Sequence, residues 1–69
     1  MVINGPALQA IRERSGLTQT ELATQTGVSQ GRISEIEAGN LNVRPRTVKA
    51  LADALAVPTV ALLALEVAS

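Results

Sequence analysis

Residues 17–37 read Leu17-Thr18-Gln19-Thr20-Glu21-Leu22-Ala23-Thr24-Gln25-Thr26-Gly27-Val28-Ser29-Gln30-Gly31-Arg32-Ile33-Ser34-Glu35-Ile36-Glu37. Thr18 with Glu21 three residues on is a capping box: hydroxyl and carboxylate each accept from an amide that a helix start leaves unpaired. Leu22 and Ala23 follow as the buried face of one helix. Gly27 stops that helix, because glycine enters the left-handed conformation without a steric cost. Ser29 caps a further helix, on which Ile33 and Ile36 stand three residues apart on one face. Two crossing helices need a small residue at the crossing, which Ala23 provides, and a turn residue at ease with positive φ, which is Gly27. Leu22, Val28, Ile33 and Ile36 lock the second helix onto the first. Counted from Gln19 as the first position, Ala23, Gly27 and Ile33 fall at positions 5, 9 and 15. A generic pair of packed helices does not require that combination. The residues spell a helix-turn-helix over about 18–38.

Working outward, Pro6 suits a first helical position with Asn4 or Gly5 as its cap. Ala7, Leu8 and Ile11 then share a face, and Ser15-Gly16 ends this first helix. Downstream, Gly39-Asn40 closes the third helix and Leu41 to Arg44 forms a loop into Pro45. Val48, Leu51, Ala52 and Leu55 stand at i, i+3, i+4 and i+7, the clearest amphipathic pattern in the chain. Val57-Pro58 breaks the fourth helix. Thr59 to about Leu65 reads as a fifth, with Val60 and Leu63 facing the core. No alternating segment longer than three or four residues competes. The expected fold is all-α, five short helices in one domain spanning residues 1–69.

The 69 residues contain no aromatic, cysteine or histidine. That excludes a disulfide framework, a thiolate nucleophile and thiolate or imidazole metal sites, so no metal or cofactor is expected. It also removes the usual near-neutral general base and base-stacking on aromatic rings. The serines and threonines have no histidine partner and no lysine at a motif spacing, so an enzyme is not expected. No apolar stretch is long enough to cross a bilayer and no basic, then apolar, leader opens the chain. A cytoplasmic protein with no membrane partner and no small-molecule substrate is the expectation. Six basic and six acidic residues leave a net charge of zero. Yet Arg44, Arg46 and Lys49 form a basic island, with no acid between residues 41 and 50.

The chain resembles the DNA-binding domain of lambda-repressor and Cro-like regulators over about residues 5–65. Leu17-Thr18-Gln19, Glu21-Leu22-Ala23, Gly27-Val28-Ser29-Gln30 and Ile33 to Gly39 carry the likeness, with Arg44-Pro45-Arg46 before the fourth helix. The resemblance implies a five-helix domain that recognises double-stranded operator DNA, its helix-turn-helix at helices 2 and 3. It most resembles a phage Cro-type repressor acting in the bacterial host cytoplasm.

In such a motif the third helix enters the major groove by its N-terminal side chains. Gln30 points outward there, and its amide can meet adenine N6 and N7 together. The resemblance makes Gln30 the first choice for base readout. Gly31 replaces a side chain that often contacts bases, and either admits close backbone approach or gives up a contact. Ser34 and Glu35 continue the exposed face. A carboxylate near phosphates is unfavourable unless Glu35 accepts from cytosine N4 or pairs with Arg32; a solvated acid is the plain alternative. Arg32 can reach guanine or a phosphate, and the resemblance favours phosphate. Helix starts offer free amides to phosphates, so Thr18, Gln19 and Ser29 are candidate backbone contacts. Arg44, Arg46 and Lys49 extend that set, against the alternative of a solvated basic loop. The resemblance also implies that Arg12 and Glu37 form a structural ion pair fixing the reading helix.

Two other functions fit the same residues: the antitoxin of a toxin–antitoxin pair, or a protein-interaction domain that does not bind DNA. The resemblance implies a twofold homodimer, at least on DNA. Leu62, Leu65 and Val67 are its candidate surface, against ordinary packing over the first and fourth helices.

Overall fold

The first three helices each start on a short-range side-chain hydrogen bond. The computed structural model describes residues 1–64. Helix α1 (Gly5–Arg14) is capped by Asn4, whose side-chain oxygen accepts from the Ala7 amide, with Pro6 in its first turn. Helix α2 (Gln19–Thr26) carries the complete capping box and stops at Gly27, at φ 77°. Helix α3 (Gln30–Glu37) is capped by Ser29, and helix α4 (Pro45–Leu55) begins at its proline. Helix α4 ends on Ala56 at φ 56°, a left-handed position where a Cβ is strained.

The core is aliphatic. Leu8 of α1, Leu22 of α2, Ile33 and Ile36 of α3, and Val48, Leu51, Ala52 and Leu55 of α4 are buried together. Each large side chain removed from water contributes roughly 1.5–3 kcal/mol. Ala23 of α2 and Val28 of the turn before α3 are partly buried and pack against this core. No helix among the described residues is long and apolar enough to cross a membrane.

Two features depart from the all-helical expectation. Strand β1 (Val2–Ile3) pairs antiparallel with strand β2 (Leu41–Asn42), Val2 opposite Asn42 and Ile3 opposite Leu41. Ile3 also bridges Leu63, and the Val2 carbonyl accepts from the Ala64 amide at 2.9 Å. The N-terminal segment thus lies between two others, burying Ile3 and Val43 completely or nearly so. Strands of two residues carry no legible alternation, which is why the sequence pattern misses them.

The fifth helix is also shorter than expected: a single 3₁₀ turn over Thr59–Leu62, after which Leu63 is extended. The inward-facing residues change with it. Leu62 is fully buried, Leu63 half-buried, and Val60 is 70% exposed. An α-helical period places Val60 and Leu63 inward. The tighter turn and the Asn4 amide bonded to the Leu62 carbonyl at 2.8 Å instead draw Leu62 into the core. Leu62 is therefore not a partner surface; Leu65 and Val67 lie outside the described residues.

Candidate nucleic-acid interface

Helix α3 is held from its inner side by a polar network. Arg12 donates from Nε to Glu37 Oε2 at 2.7 Å and from Nη2 to Oε1 at 3.0 Å, a bidentate pair. A further Arg12 bond, from Nη1, reaches the Leu17 carbonyl at 2.8 Å, and Gln19 Nε2 donates to Glu37 Oε1 at 3.0 Å. The two charged side chains are only 10% and 4% exposed. The hydrogen bond to Glu37 raises the Arg12 pKa above its ordinary value, against burial, which lowers it. Among the described residues no buried side-chain nitrogen or oxygen lacks a partner, as a buried pair requires. One arginine and one glutamine thereby tie together α1, the segment before α2 and the end of α3.

A second restraint is steric. Gly5, the first residue of α1, abuts the carboxyl end of α3. A Cβ added there would overlap the carbonyl oxygens of Ile36 and Gly39 and crowd that of Glu37 at 2.8 Å. Sequence reading offered Gly5 only as a possible cap. The packing role has no local signal, because the carbonyls it meets lie more than 30 residues away along the chain.

The outer side of α3 is unconstrained. At about 100° per residue, Ile33, Ile36 and Glu37 point inward while Gly31 and Glu35 point the opposite way, flanked by Gln30 and Ser34. All four of these last residues are exposed, and a Cβ on Gly31 would meet nothing within 4 Å. The residues expected to read bases therefore share one open face.

The residues expected at phosphates divide into three groups. Thr18 and Ser29 use their hydroxyl oxygens as caps, accepting from Glu21 N at 3.0 Å and Arg32 N at 3.2 Å. Each hydroxyl keeps its proton to donate outward. The Gln19 amide is turned to Glu37, which leaves it a second N–H and its oxygen. Arg32 reaches the Glu35 carboxylate at 3.5 Å, an exposed pair three residues apart on α3. It also lines an open cleft with Gly27, Val28, Val43, Arg44 and Thr47, so two arginines from separate elements converge beside the helix-turn-helix turn. Arg46 is exposed in the first turn of α4, and Lys49 lies 3.4 Å from Asp53. Arg14, exposed in the last turn of α1, is a further cation that sequence reading did not single out. No group of three or more metal-ligating side chains occurs among the described residues.

The arrangement has relatives. A helix-turn-helix domain family model matches residues 5–65. The chain is 49% identical over 55 residues to the HTH-type transcriptional repressor RghR of Bacillus subtilis (strain 168). That match takes in 78% of this chain and 41% of RghR, so the chain spans about two-fifths of that relative's length. The restriction-modification controller protein C.AhdI of Aeromonas hydrophila superposes with a TM-score of 0.79 at 30% identity, over 86% of this chain and 89% of its own. The N-terminal DNA-binding domain of the biofilm regulator SinR of Bacillus subtilis does so with 0.78 at 27%, over 93% and 94%. The same fold occurs inside Streptomyces albus HEPD, solved with 2-hydroxyethylphosphonate and Fe(II), with a TM-score of 0.80 at 29% identity. There it matches 86% of this chain and only 13% of the larger one. With the family model covering nearly all of the described chain, this protein belongs to the Cro/lambda-repressor-like helix-turn-helix family.

Proposed function

We propose that this chain is a sequence-specific, double-stranded-DNA-binding transcriptional repressor of the Cro type, reading the major groove with α3. The observation that carries the reading is the contrast across α3. Its inner side is fixed by Arg12, Glu37 and Gln19, while Gln30, Gly31, Ser34 and Glu35 face outward together. A reading helix needs that combination, because side chains meet base edges in register only if the helix itself cannot shift. Gln30 is the adenine-type contact, Ser34 an adaptable donor or acceptor, and Gly31 a point of close approach. Around them Thr18, Ser29 and the amides at the start of α2 donate to backbone phosphates. Gln19 contributes through its backbone amide and its remaining side-chain N–H. Arg32 and Arg44 converge on one phosphate in the cleft, with Arg46 and Lys49 on the adjoining backbone.

Three of the six cations have acidic neighbours: Arg12 with Glu37, Arg32 with Glu35 and Lys49 with Asp53. One copy should therefore bind weakly with a shallow salt dependence. A twofold dimer on DNA doubles the contacts, its reading helices about one turn of DNA apart. Duplexes enriched from a random pool, then footprinted across a salt series, test the proposal. Protection that fades with salt supports it, and no protection at low salt sinks it. Sedimentation with and without the enriched duplex tests the dimer.

A protein-interaction module without DNA is the second reading. Zero net charge and an acid at the centre of the exposed face favour it. The same fold also occurs inside HEPD, a larger protein solved with 2-hydroxyethylphosphonate and Fe(II) bound. The footprint separates the two readings.

A further inference from the structure

We propose that Glu35 determines one base of the bound sequence, requiring cytosine on the strand it faces; the inference rests on the DNA-binding reading above. Glu35 stands at the centre of the outer face of α3, with a side chain 66% exposed. One helical turn before it is Gly31, where a Cβ would have open space on every side. No side chain therefore stands between the Glu35 carboxylate and whatever approaches the middle of this face. The neighbours on that face, Gln30 and Ser34, can each donate or accept; Glu35 can only accept.

An acceptor-only group in the major groove is a severe filter. Guanine presents N7 and O6, both acceptors, and thymine presents O4 beside a methyl group. Against either, a carboxylate loses its water and finds like charge instead of a donor. Adenine offers its N6 amino group but sets the N7 acceptor beside it. Cytosine alone presents the N4 amino donor with no ring acceptor next to it on its major-groove edge. The general negative potential of the groove makes the wrong pairings worse, because an exposed pair with a neighbouring arginine offsets only a little of the carboxylate charge. The nearest cation is Arg32, at 3.5 Å. It lies on the flank towards the Arg44 cleft, where it restrains the carboxylate without covering it.

The substitution Glu35→Gln tests this cleanly, since it keeps the shape and replaces the acceptor-only group by an amide suited to adenine N6 and N7. The intact chain and the variant are each used to enrich duplexes from the same random pool, with thermal melts confirming that both fold. The expected result is one cytosine position, favoured about ten-fold or more by the unsubstituted chain, that becomes adenine with Glu35→Gln while the other positions stay. Glu35→Ala should leave that position without preference. Identical motifs for the chain and Glu35→Gln would overturn the inference and leave the DNA-binding proposal standing. So would a change at a position that is not cytosine in the original motif. If the unsubstituted chain enriches no motif even at low salt, the DNA-binding proposal itself fails and takes this inference with it.

Discussion

The inner and outer faces of α3 belong to the same eight-residue helix and obey opposite rules. On the inner face every polar atom is matched: Glu37 accepts from Arg12 twice and from Gln19 once, and Gly5 is pressed against the last carbonyls. On the outer face almost nothing is matched, and only Glu35 has a neighbour within reach, the weakly held Arg32. Buried ions need this completeness because an unpaired charge out of water is costly, whereas exposed groups are already satisfied by solvent. The inner face should therefore govern stability, and the outer face should be free to govern recognition.

The largest test of that division is Glu37→Gln. It leaves Arg12 charged and buried without a counter-ion, and should cost about 3–5 kcal/mol, a large share of a typical total of about 5–15 kcal/mol. Arg12→Met with Glu37→Gln should lose less than the sum of the single changes in thermal or denaturant melts. Purely additive losses would break the claim that the two act as one unit. Next comes Gly5→Ala, expected to cost about 1–3 kcal/mol because the methyl group meets backbone that cannot move aside. An unaltered denaturation midpoint would mean that α1 can slide off the end of α3.

Ala56→Gly, remote from both faces, should stabilise the protein by about 0.5–1 kcal/mol. Relief of the left-handed strain outweighs the greater freedom glycine adds to the unfolded chain. A gain in melting temperature with no change in DNA binding would sharpen the separation of stability from recognition.

A smaller effect belongs to the α2 cap. The backbone and side-chain hydrogen bonds of Thr18 hold the Glu21 pKa below its ordinary value. A carboxylate with a lowered folded-state pKa stabilises the fold above its unfolded pKa. That contribution is lost as pH falls through the folded-state value. The melting temperature of Glu21→Gln, which keeps a capping side chain without titrating, should therefore fall less than that of the unsubstituted chain on acidification. Parallel acid profiles would remove the cap from the account.

The smallest changes in stability are expected outside. Gln30→Ala, Ser34→Ala and Arg44→Ala should each move stability by no more than about 0.5 kcal/mol. Arg44→Ala should lower the salt slope of DNA binding by about one, and Gln30→Ala should relax preference at one base. A large stability loss from any of the three would break the comparison of the two faces.

How much of this was legible follows from range. Asn4, Thr18 with Glu21, Gly27 and Ser29 act on groups within a few residues, so their hydrogen bonds can be read from spacing alone. The α4 stripe from Val48 to Leu55 is likewise a one-helix pattern. Arg12 and Glu37 are 25 residues apart, and only the family likeness linked them. Gln19 was read as a helix-start residue near phosphate, and nothing local signals that its amide turns to Glu37. The convergence of Arg32 and Arg44 was hidden too, since each looked like a separate cation.

By itself the sequence determined where four helices begin and end, the helix-turn-helix, its aliphatic inner face and the polar residues left outside. Those follow from capping chemistry and a 3.6-residue period, which depend on neighbours along the chain. Only the tertiary structure decided that Val2–Ile3 would pair with Leu41–Asn42, that Leu62 rather than Val60 would enter the core, and that Gly5 would close against α3. Each of these is settled by a backbone hydrogen bond or a steric contact between segments distant in sequence. Residue type and spacing carry no record of such a contact until the chain is folded.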